Sequence, residues 1–319
     1  MPTNYVLEFE KPIAEIEKKI AELREYSISE DIEIQNEVER LEAKARKLRQ
    51  ETYSKLTRWQ RVQLARHPER PYTLDYISRM IDDFVELHGD RSFRDDPAIV
   101  SGIGKLDGRP VAIIGHQKGR DTKEKLRRNF AMPNPEGYRK ALRVMNLAAH
   151  YGRPIICLLD TPGAYPGIGA EERGQAEAIA RNLREMSHLP VPIIIIVIGE
   201  GASGGALGIG VGDRILMMEN TWYSVISPEG CAAILYRDAA NAPQAAEAMR
   251  VTPNDLLEMG VIDKIIKEPP GAAHNDYDQA AAIVKKTIKE EIESLQDIPP
   301  NILIKNRIEK FGKMGFWSE

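Results

Sequence analysis

The stretch Ile193-Ile194-Ile195-Ile196-Val197-Ile198-Gly199-Glu200-Gly201-Ala202-Ser203-Gly204-Gly205-Ala206 sets the architecture. Its first six residues are all β-branched, carry no charge, and are bounded by Pro192 and Gly199. A run of that kind reads as a strand buried on both faces, as in a parallel sheet. The glycines that follow read as a turn into a helix. Upstream, Pro154 to Leu159 repeats the pattern and leads into Asp160-Thr161-Pro162-Gly163-Ala164-Tyr165-Pro166-Gly167. Pro110 to Ile114 reads as a further strand after the Asp107-Gly108 turn, and Val261 to Ile266 as another after Gly260. Between them lie helical faces. Ala141, Leu142, Met145, Ala148 and Ala149 form one, with Asn134 and Pro135 at its start; Ala176, Ile179, Ala180, Leu183 and Met186 form the next. Thr252-Pro253-Asn254-Asp255 opens a capped helix, and Ala281, Val284, Ile288 and Ile292 stripe the last one, from Tyr277 to Leu295. Strands separated by helices imply βαβ crossovers, hence an α/β protein with a largely parallel sheet.

The ends differ from this middle. Ile13, Ile16, Ile20 and Leu23, and again Val38, Leu41, Ala45 and Leu48, follow a 3-4-3 spacing with charges between them. The break from Tyr26 to Ile34 predicts an antiparallel helical hairpin that caps its own domain or docks another subunit. The expected divisions are residues 1–70 (hairpin), 71–297 (α/β domain) and 298–319 (helical tail).

At 319 residues, about two domains fit. Lys plus Arg is 44 against 48 Asp plus Glu, a net charge of −4, which argues against a nucleic-acid partner. No apolar run approaches the ~20 residues that span a bilayer, and no secretory signal is evident. Cys157 and Cys231 stand alone, so neither a disulfide framework nor a thiolate zinc site is expected. These features predict a cytoplasmic protein.

The two glycine-bearing loops are where chemistry is expected. Backbone N–H groups at a helix start have no intrahelical partner, and glycine lets a ligand approach them closely. Two such loops facing one cleft supply donors for an oxyanion; one Gly-Gly pair alone is more often simply a tight strand-to-helix turn. Gly201-Ala202-Ser203-Gly204-Gly205 also fits the G-x-S-x-G elbow of serine hydrolases, with Asp263 and His274 as formal partners. Gly199 and Glu200 are expected to separate Ser203 from the strand, and His274 to lie in a surface loop; both count against a hydrolase. His67, His88, His116, His150 and His188 show no metal-ligand spacing, so no metal is assigned. No phosphate-cradling G-x-x-x-x-G-K-[ST] loop is present. Lys118, Arg120, Lys123, Lys125, Arg127 and Arg128 outnumber Asp121 and Glu124, which gives either a solvated helix face or a contact for cofactor phosphates or an acidic carrier.

The segments His116-Gln117-Lys118-Gly119-Arg120, Pro135 to Ala141, Asp160 to Gly167, Glu171-Glu172-Arg173-Gly174-Gln175, Gly199 to Ala206 and Ser227-Pro228-Glu229-Gly230-Cys231 resemble the carboxyltransferase alpha subunit of bacterial acetyl-CoA carboxylase. Arg66-His67-Pro68 and Arg70 to Tyr76 extend the likeness over nearly the whole chain. The resemblance implies a crotonase-like spiral of ββα units. It implies transfer of a carboxyl group from carboxybiotin to acetyl-CoA, giving malonyl-CoA for fatty acid synthesis. Biotin would ride on its carrier protein and coenzyme A would arrive as the thioester. Zinc would sit in the beta subunit only, and the working unit would be an α2β2 heterotetramer served by a biotin carboxylase.

Carried over by position, Gly163 or Ala164 and Gly204 or Gly205 would be the backbone donors. Tyr165, Pro166, Gly201 and Ser203 would line the biotin pocket, and Lys118, Arg120, Lys123, Arg127 and Arg128 would meet phosphates or the carrier. No acid follows Gly204-Gly205, which counts against hydratase chemistry. A carboxyltransferase or decarboxylase for another acyl-CoA, and a purely structural half that only docks its partner, remain the competing readings.

Overall fold

A computed structural model describes residues 5–26 and 32–315. The chain opens with α1 (Lys11–Tyr26), α2 (Ile32–Ser54), α3 (Arg58–Ala65) and α4 (Thr73–Met80). Next come β1 (Asp82–Glu86), β2 (Ile99–Leu106), β3 (Arg109–His116), α5 (Thr122–Arg127), α6 (Pro135–His150) and β4 (Ile155–Thr161). Then follow α7 (Ile168–Glu172), α8 (Gln175–His188), β5 (Ile193–Ala202), α9 (Ser203–Leu207), β6 (Arg214–Met218) and β7 (Trp222–Ser224). The last are α10 (Pro228–Leu235), α11 (Ala242–Met249), α12 (Pro253–Glu258), β8 (Lys264–Ile266), α13 (Tyr277–Leu295) and α14 (Pro300–Gly312).

One sheet runs in the order β1-β2-β3-β4-β5-β6-β8, with β7 paired to the end of β5. From β3 onward the pairs are parallel; β1-β2-β3 is an antiparallel meander. The uncharged run in β5 explains the layering. Ile193, Ile195 and Val197 enter one core with Tyr138, Val144 and Met145 of α6 and Ala178 and Met186 of α8. Ile194, Ile196 and Ile198 enter a second core with Tyr76 and Met80 of α4 and Val284, Ile288 and Ile292 of α13. Successive side chains alternate faces, so a strand with helices on both sides must be apolar throughout.

Several elements depart from expectation. β8 begins only at Lys264, because the amides of Val261 and Ile262 turn back to the Leu256 carbonyl at the end of α12. Asn134 precedes α6 without a side-chain cap; its Oδ1 accepts from Arg173 instead. The strands β1 and β2 have no counterpart in the sequence reading: Val85 and Ile103 are exposed, so neither strand shows an uninterrupted apolar run.

The N-terminal hairpin is antiparallel, since Arg24 pairs with Glu42 and Arg49 with Glu17. Its expected turn falls largely on residues 27–31, outside the described ones. Ile13, Ile20 and Ala45 are buried, whereas Ile16, Leu23, Val38, Leu41 and Leu48 remain half-buried along the stripe. Within residues 1–70, α3 packs with Trp222, Ala202 and Val251 in the α/β body, and Arg70 is fully buried against Glu268 at 2.6 Å.

The tail is integral too. The Arg307 guanidinium of α14 is 1% exposed and donates to Asp213 (2.9 and 2.7 Å) and to the carbonyls of Met186, Leu189 and Val191. Asp213 also accepts from the Ile193 amide, so the tail fastens the entry to β5. Truncation to Arg307→Ala leaves Asp213 buried without its cation, and should cost about 3–5 kcal/mol of stability in urea unfolding.

Asp255 of α12 tethers α3 through Arg58 (2.6 Å) and accepts from Thr252. Burial opposes ionisation, but the bonds from Arg58 and Thr252 outweigh it and hold the carboxyl at about 2. A depressed carboxylate contributes stability above its unfolded value of about 3.9, and loses it as pH falls through the folded one. Asp255→Asn should therefore lower the denaturation midpoint at pH 7, and the gap from wild type should close as pH falls through about 2.

Candidate functional site

The parallel strands β3, β4 and β5 end side by side, and each ends on chemistry. In open α/β sheets the carboxyl edge is where ligands bind. Two residues past β3, Lys118 places its ammonium 2.8 Å from both Asp160 Oδ1 of β4 and Glu200 Oε1 of β5. Arg66 closes the row from the other side, bonding Glu200 Oε2 and reaching Glu229 of α10 while lying over the Trp222 ring at 5.3 Å. Burial alone would strip the charge from Lys118, but the two carboxylates raise its pKa above the usual lysine value. Burial likewise opposes Glu200, and Lys118 with Arg66 outweighs it and keeps the carboxylate ionised. Burial raises Asp160, with Lys118 opposing. Asp160 also accepts the Glu200 amide at 2.9 Å, so the network sets the relative height of the two strand ends.

Above it sit the loops. A Cβ on Gly205 would stand 2.3 Å from the Gly163 carbonyl carbon and 2.5 Å from the Ala164 nitrogen. The α9 backbone thus lies directly against the Gly163–Ala164 peptide, an approach only glycine permits. The four proposed donors are not equivalent. The Gly163 amide donates to Thr161 Oγ1 at 3.1 Å within its own turn, so Gly163 is removed from the donor set. The Ala164 amide has no hydrogen-bond partner among the described residues. Gly204 and Gly205 lie in the first turn of α9, where amides lack intrahelical acceptors, and no side chain caps that turn.

Tyr165 is held at the backbone, donating to the Pro133 carbonyl and accepting from Gln175, with its ring close over Gly167. Pro166 is exposed, and Gly201 is buried under the Tyr223 ring.

Ser203 requires a correction. β5 runs to Ala202, so Ser203 follows the strand end directly and takes φ 57°, the sharp turn that was expected to be missing. The hydrolase reading fails for another reason. Asp263 bonds the Ile215 amide and Lys310, while the His274 side chain is largely covered and stacked on His67 at 3.9 Å. No imidazole hydrogen-bonds Ser203 among the described residues. His116, buried near Gly205, is held neutral by desolvation down to about 3, and therefore does not titrate near neutral pH.

The basic segment also divides. Lys118 is committed to its two carboxylates. Arg120 bonds the carbonyls of Pro68 and Arg70 with its guanidinium 3.9 Å over the Tyr72 ring, and Arg128 bonds Glu124 and the Pro97 carbonyl. These three brace the fold, Arg120 while still partly exposed; Lys123 and Arg127 face solvent. The charge network itself escaped the sequence reading, although Asp160 and Glu200, each a carboxylate closing an otherwise apolar strand run, mark it.

Methyl addition separates the two glycines of α9. At Gly205 it collides with backbone and should cost about 1–3 kcal/mol as Gly205→Ala. At Gly204 the new Cβ meets only Ile179 Cδ1 at 3.5 Å, so Gly204→Ala should melt at or slightly above wild type in thermal denaturation.

The family described as acetyl co-enzyme A carboxylase carboxyltransferase-like matches residues 6–315. The chain is 57% identical to the acetyl-coenzyme A carboxylase carboxyl transferase subunit alpha of Geobacter metallireducens, over all of both chains. It is 59% identical to that of a Geobacillus species, over 97% of this chain and 95% of the other. Among solved structures, transcarboxylase 12S superposes with TM-score 0.57 at 19% identity, covering 72% of this chain and 44% of that one. A Pseudomonas malonate decarboxylase hetero-tetramer gives 0.54 at 16%, covering 67% and 85%. These likenesses show a crotonase-like fold, and the chain belongs to the acetyl-CoA carboxylase carboxyltransferase family.

Proposed function

We propose that this chain is the alpha subunit of an acetyl-CoA carboxyltransferase and that it holds the biotin side of the reaction. One observation carries the reading: Gly205 packs on the Gly163–Ala164 peptide, setting two groups of amides without side-chain chemistry next to each other. Biotin, delivered on a carrier protein, supplies the carboxyl group in activated form. What the protein must then provide is a place for negative charge on the ureido oxygen, with water kept away. The amides of Ala164, Gly204 and Gly205 fit that task, because an N–H donor neither titrates nor reorganises as the charge develops. One such donor is worth about 3–4 kcal/mol. Nor does the chain need to supply a strong side-chain base, since biotin held there would itself offer an acceptor for the proton lost by the acetyl methyl. Lys118, with Asp160 and Glu200, acts beneath as a brace that fixes both strand ends.

The partner reading rests on exposed apolar groups beside the loops. Ala202 pairs with Ser224, which puts Val225 next to Ser203, and Val225 is 79% exposed. Ile234 and Leu235 of α10 and Ile168 after the first loop are also largely uncovered. Apolar surface of this kind around a cleft marks a protein interface. The beta subunit, with its zinc and the thioester-binding half of the site, is the occupant that the family implies. The assembly would be α2β2, served by the biotin carrier and a biotin carboxylase. Two unbridged cysteines, Cys157 and Cys231, fit a cytoplasmic setting, and no described helix is long and apolar enough to cross a membrane.

The test is reconstitution. The purified chain with carboxylated carrier and acetyl-CoA should form malonyl-CoA at least about a hundredfold more slowly than the same chain with its beta partner. Ser203→Ala should keep turnover within about threefold. Full activity of the chain alone, or abolition by Ser203→Ala, overturns the reading.

A further inference from the structure

Histidines that look scattered in the sequence meet beneath the N-terminal hairpin. His67 follows α3, His274 lies in the loop before α13, and Glu10 ends the short 3-10 turn that leads into α1. One ligand atom from each lies within 4.8 Å of the others, and all three side chains are largely buried.

Two independent observations point to a ligand there. His274 has no hydrogen-bond partner among the described residues: Nδ1 is buried and orphaned, and Nε2 stands 3.8 Å from Glu10 Oε1. An imidazole N–H left unpaired in the interior is costly. Beside it opens a cavity of about 500 Å3, lined by Tyr5, Ile13, Glu17, Arg49, Tyr53 and Glu10.

The surroundings match what a metal needs. Glu10 accepts from the Tyr53 hydroxyl and, at 2.9 Å, from the Leu7 amide, contacts that orient a carboxylate. His67 Nε2 lies 3.1 Å from the Tyr5 carbonyl, the partner a metal-ligating histidine commonly gives its second nitrogen. Its Nδ1 accepts only a long 3.2 Å bond from the Glu69 amide, a weak contact to exchange.

The geometry points to a transition-metal site at Glu10, His67 and His274, suited to Zn2+ and completed by water from the cavity, that clasps the N-terminal hairpin to the α/β body. Two imidazoles and a carboxylate with an open fourth position are a borderline-soft donor set. Bonds of about 2.1 Å place tetrahedral ligand atoms about 3.4 Å apart, so binding draws the three together and splays the 3.9 Å histidine stack. Since each ligand comes from a different segment, the metal would cross-link residues that the chain otherwise joins only by packing. This site does not depend on the transfer reaction.

The experiment uses the tag-free full chain, stripped with chelator and equilibrated with buffered Zn2+ or Co2+. The expected result is one metal per chain, tetrahedral Co2+ absorption bands, and slower proteolysis of the hairpin when metal is present. His274→Ala and Glu10→Gln should each weaken binding about a hundredfold, while the carboxyl transfer rate of the reconstituted complex is unchanged. Should His274→Ala fail to fold, Glu10→Gln decides, because the amide keeps the shape and an acceptor for Tyr53. Absence of retained metal, or variants that bind as wild type does, overturns the proposal.

Discussion

The ammonium of Lys118, shared between Asp160 and Glu200, is the interaction on which the rest of the site depends. Two carboxylates at the buried ends of neighbouring strands would repel each other and draw in water. A single cation 2.8 Å from both converts that liability into a cross-brace. Breaking such a group by deleting one partner is far costlier than never having built it, since an uncompensated charge then remains in the interior. The brace fixes where β4 and β5 stop, and thereby where the two loops begin. Arg66 and Glu229 carry the same row of alternating charges outward to α10.

Fixed strand ends give the loops their registry. The Gly205 backbone rests on the Gly163–Ala164 peptide above strand ends that the brace ties together. On the proposed reading their shared feature is neutrality: the donors would be main-chain amides, and the His116 imidazole beside Gly205 stays uncharged. A site of that kind stabilises charge appearing on a ligand without supplying or consuming protons. Ser203 in the left-handed region belongs to the same logic, as a turn held in a disfavoured conformation that aims the next amides.

The layered core was plain in the sequence, because a strand covered on both faces has no choice but to be apolar, and the runs ending at Leu159 and Ile198 announce themselves. The meander of β1 and β2 was hidden since its outer residues, such as Val85 and Ile103, face solvent. The two loops were visible from their glycines, but not which amides were spent: that the Gly163 N–H turns back to Thr161 depends on a side-chain rotamer that no spacing rule encodes. The ion pairs of Lys118 and Arg120 were not legible in the sequence for a related reason. A basic run shows its charge in sequence, while its carboxylate partners come from Asp160 of β4 and Glu200 of β5 for Lys118, and from Asp75 of α4, which pairs with Arg120. His67 and His274 illustrate the same limit, with two hundred-odd residues between rings that stack.

The buried pairing of Arg307 with Asp213 has a consequence for the order of folding. The guanidinium that neutralises the entrance of the central strand comes from 94 residues downstream of Asp213. Until α14 docks, Asp213 and the carbonyls of Met186, Leu189 and Val191 face an interior that is still open on that side. Closing this corner of the sheet is therefore a long-range step that waits on helix docking rather than on local chain contacts.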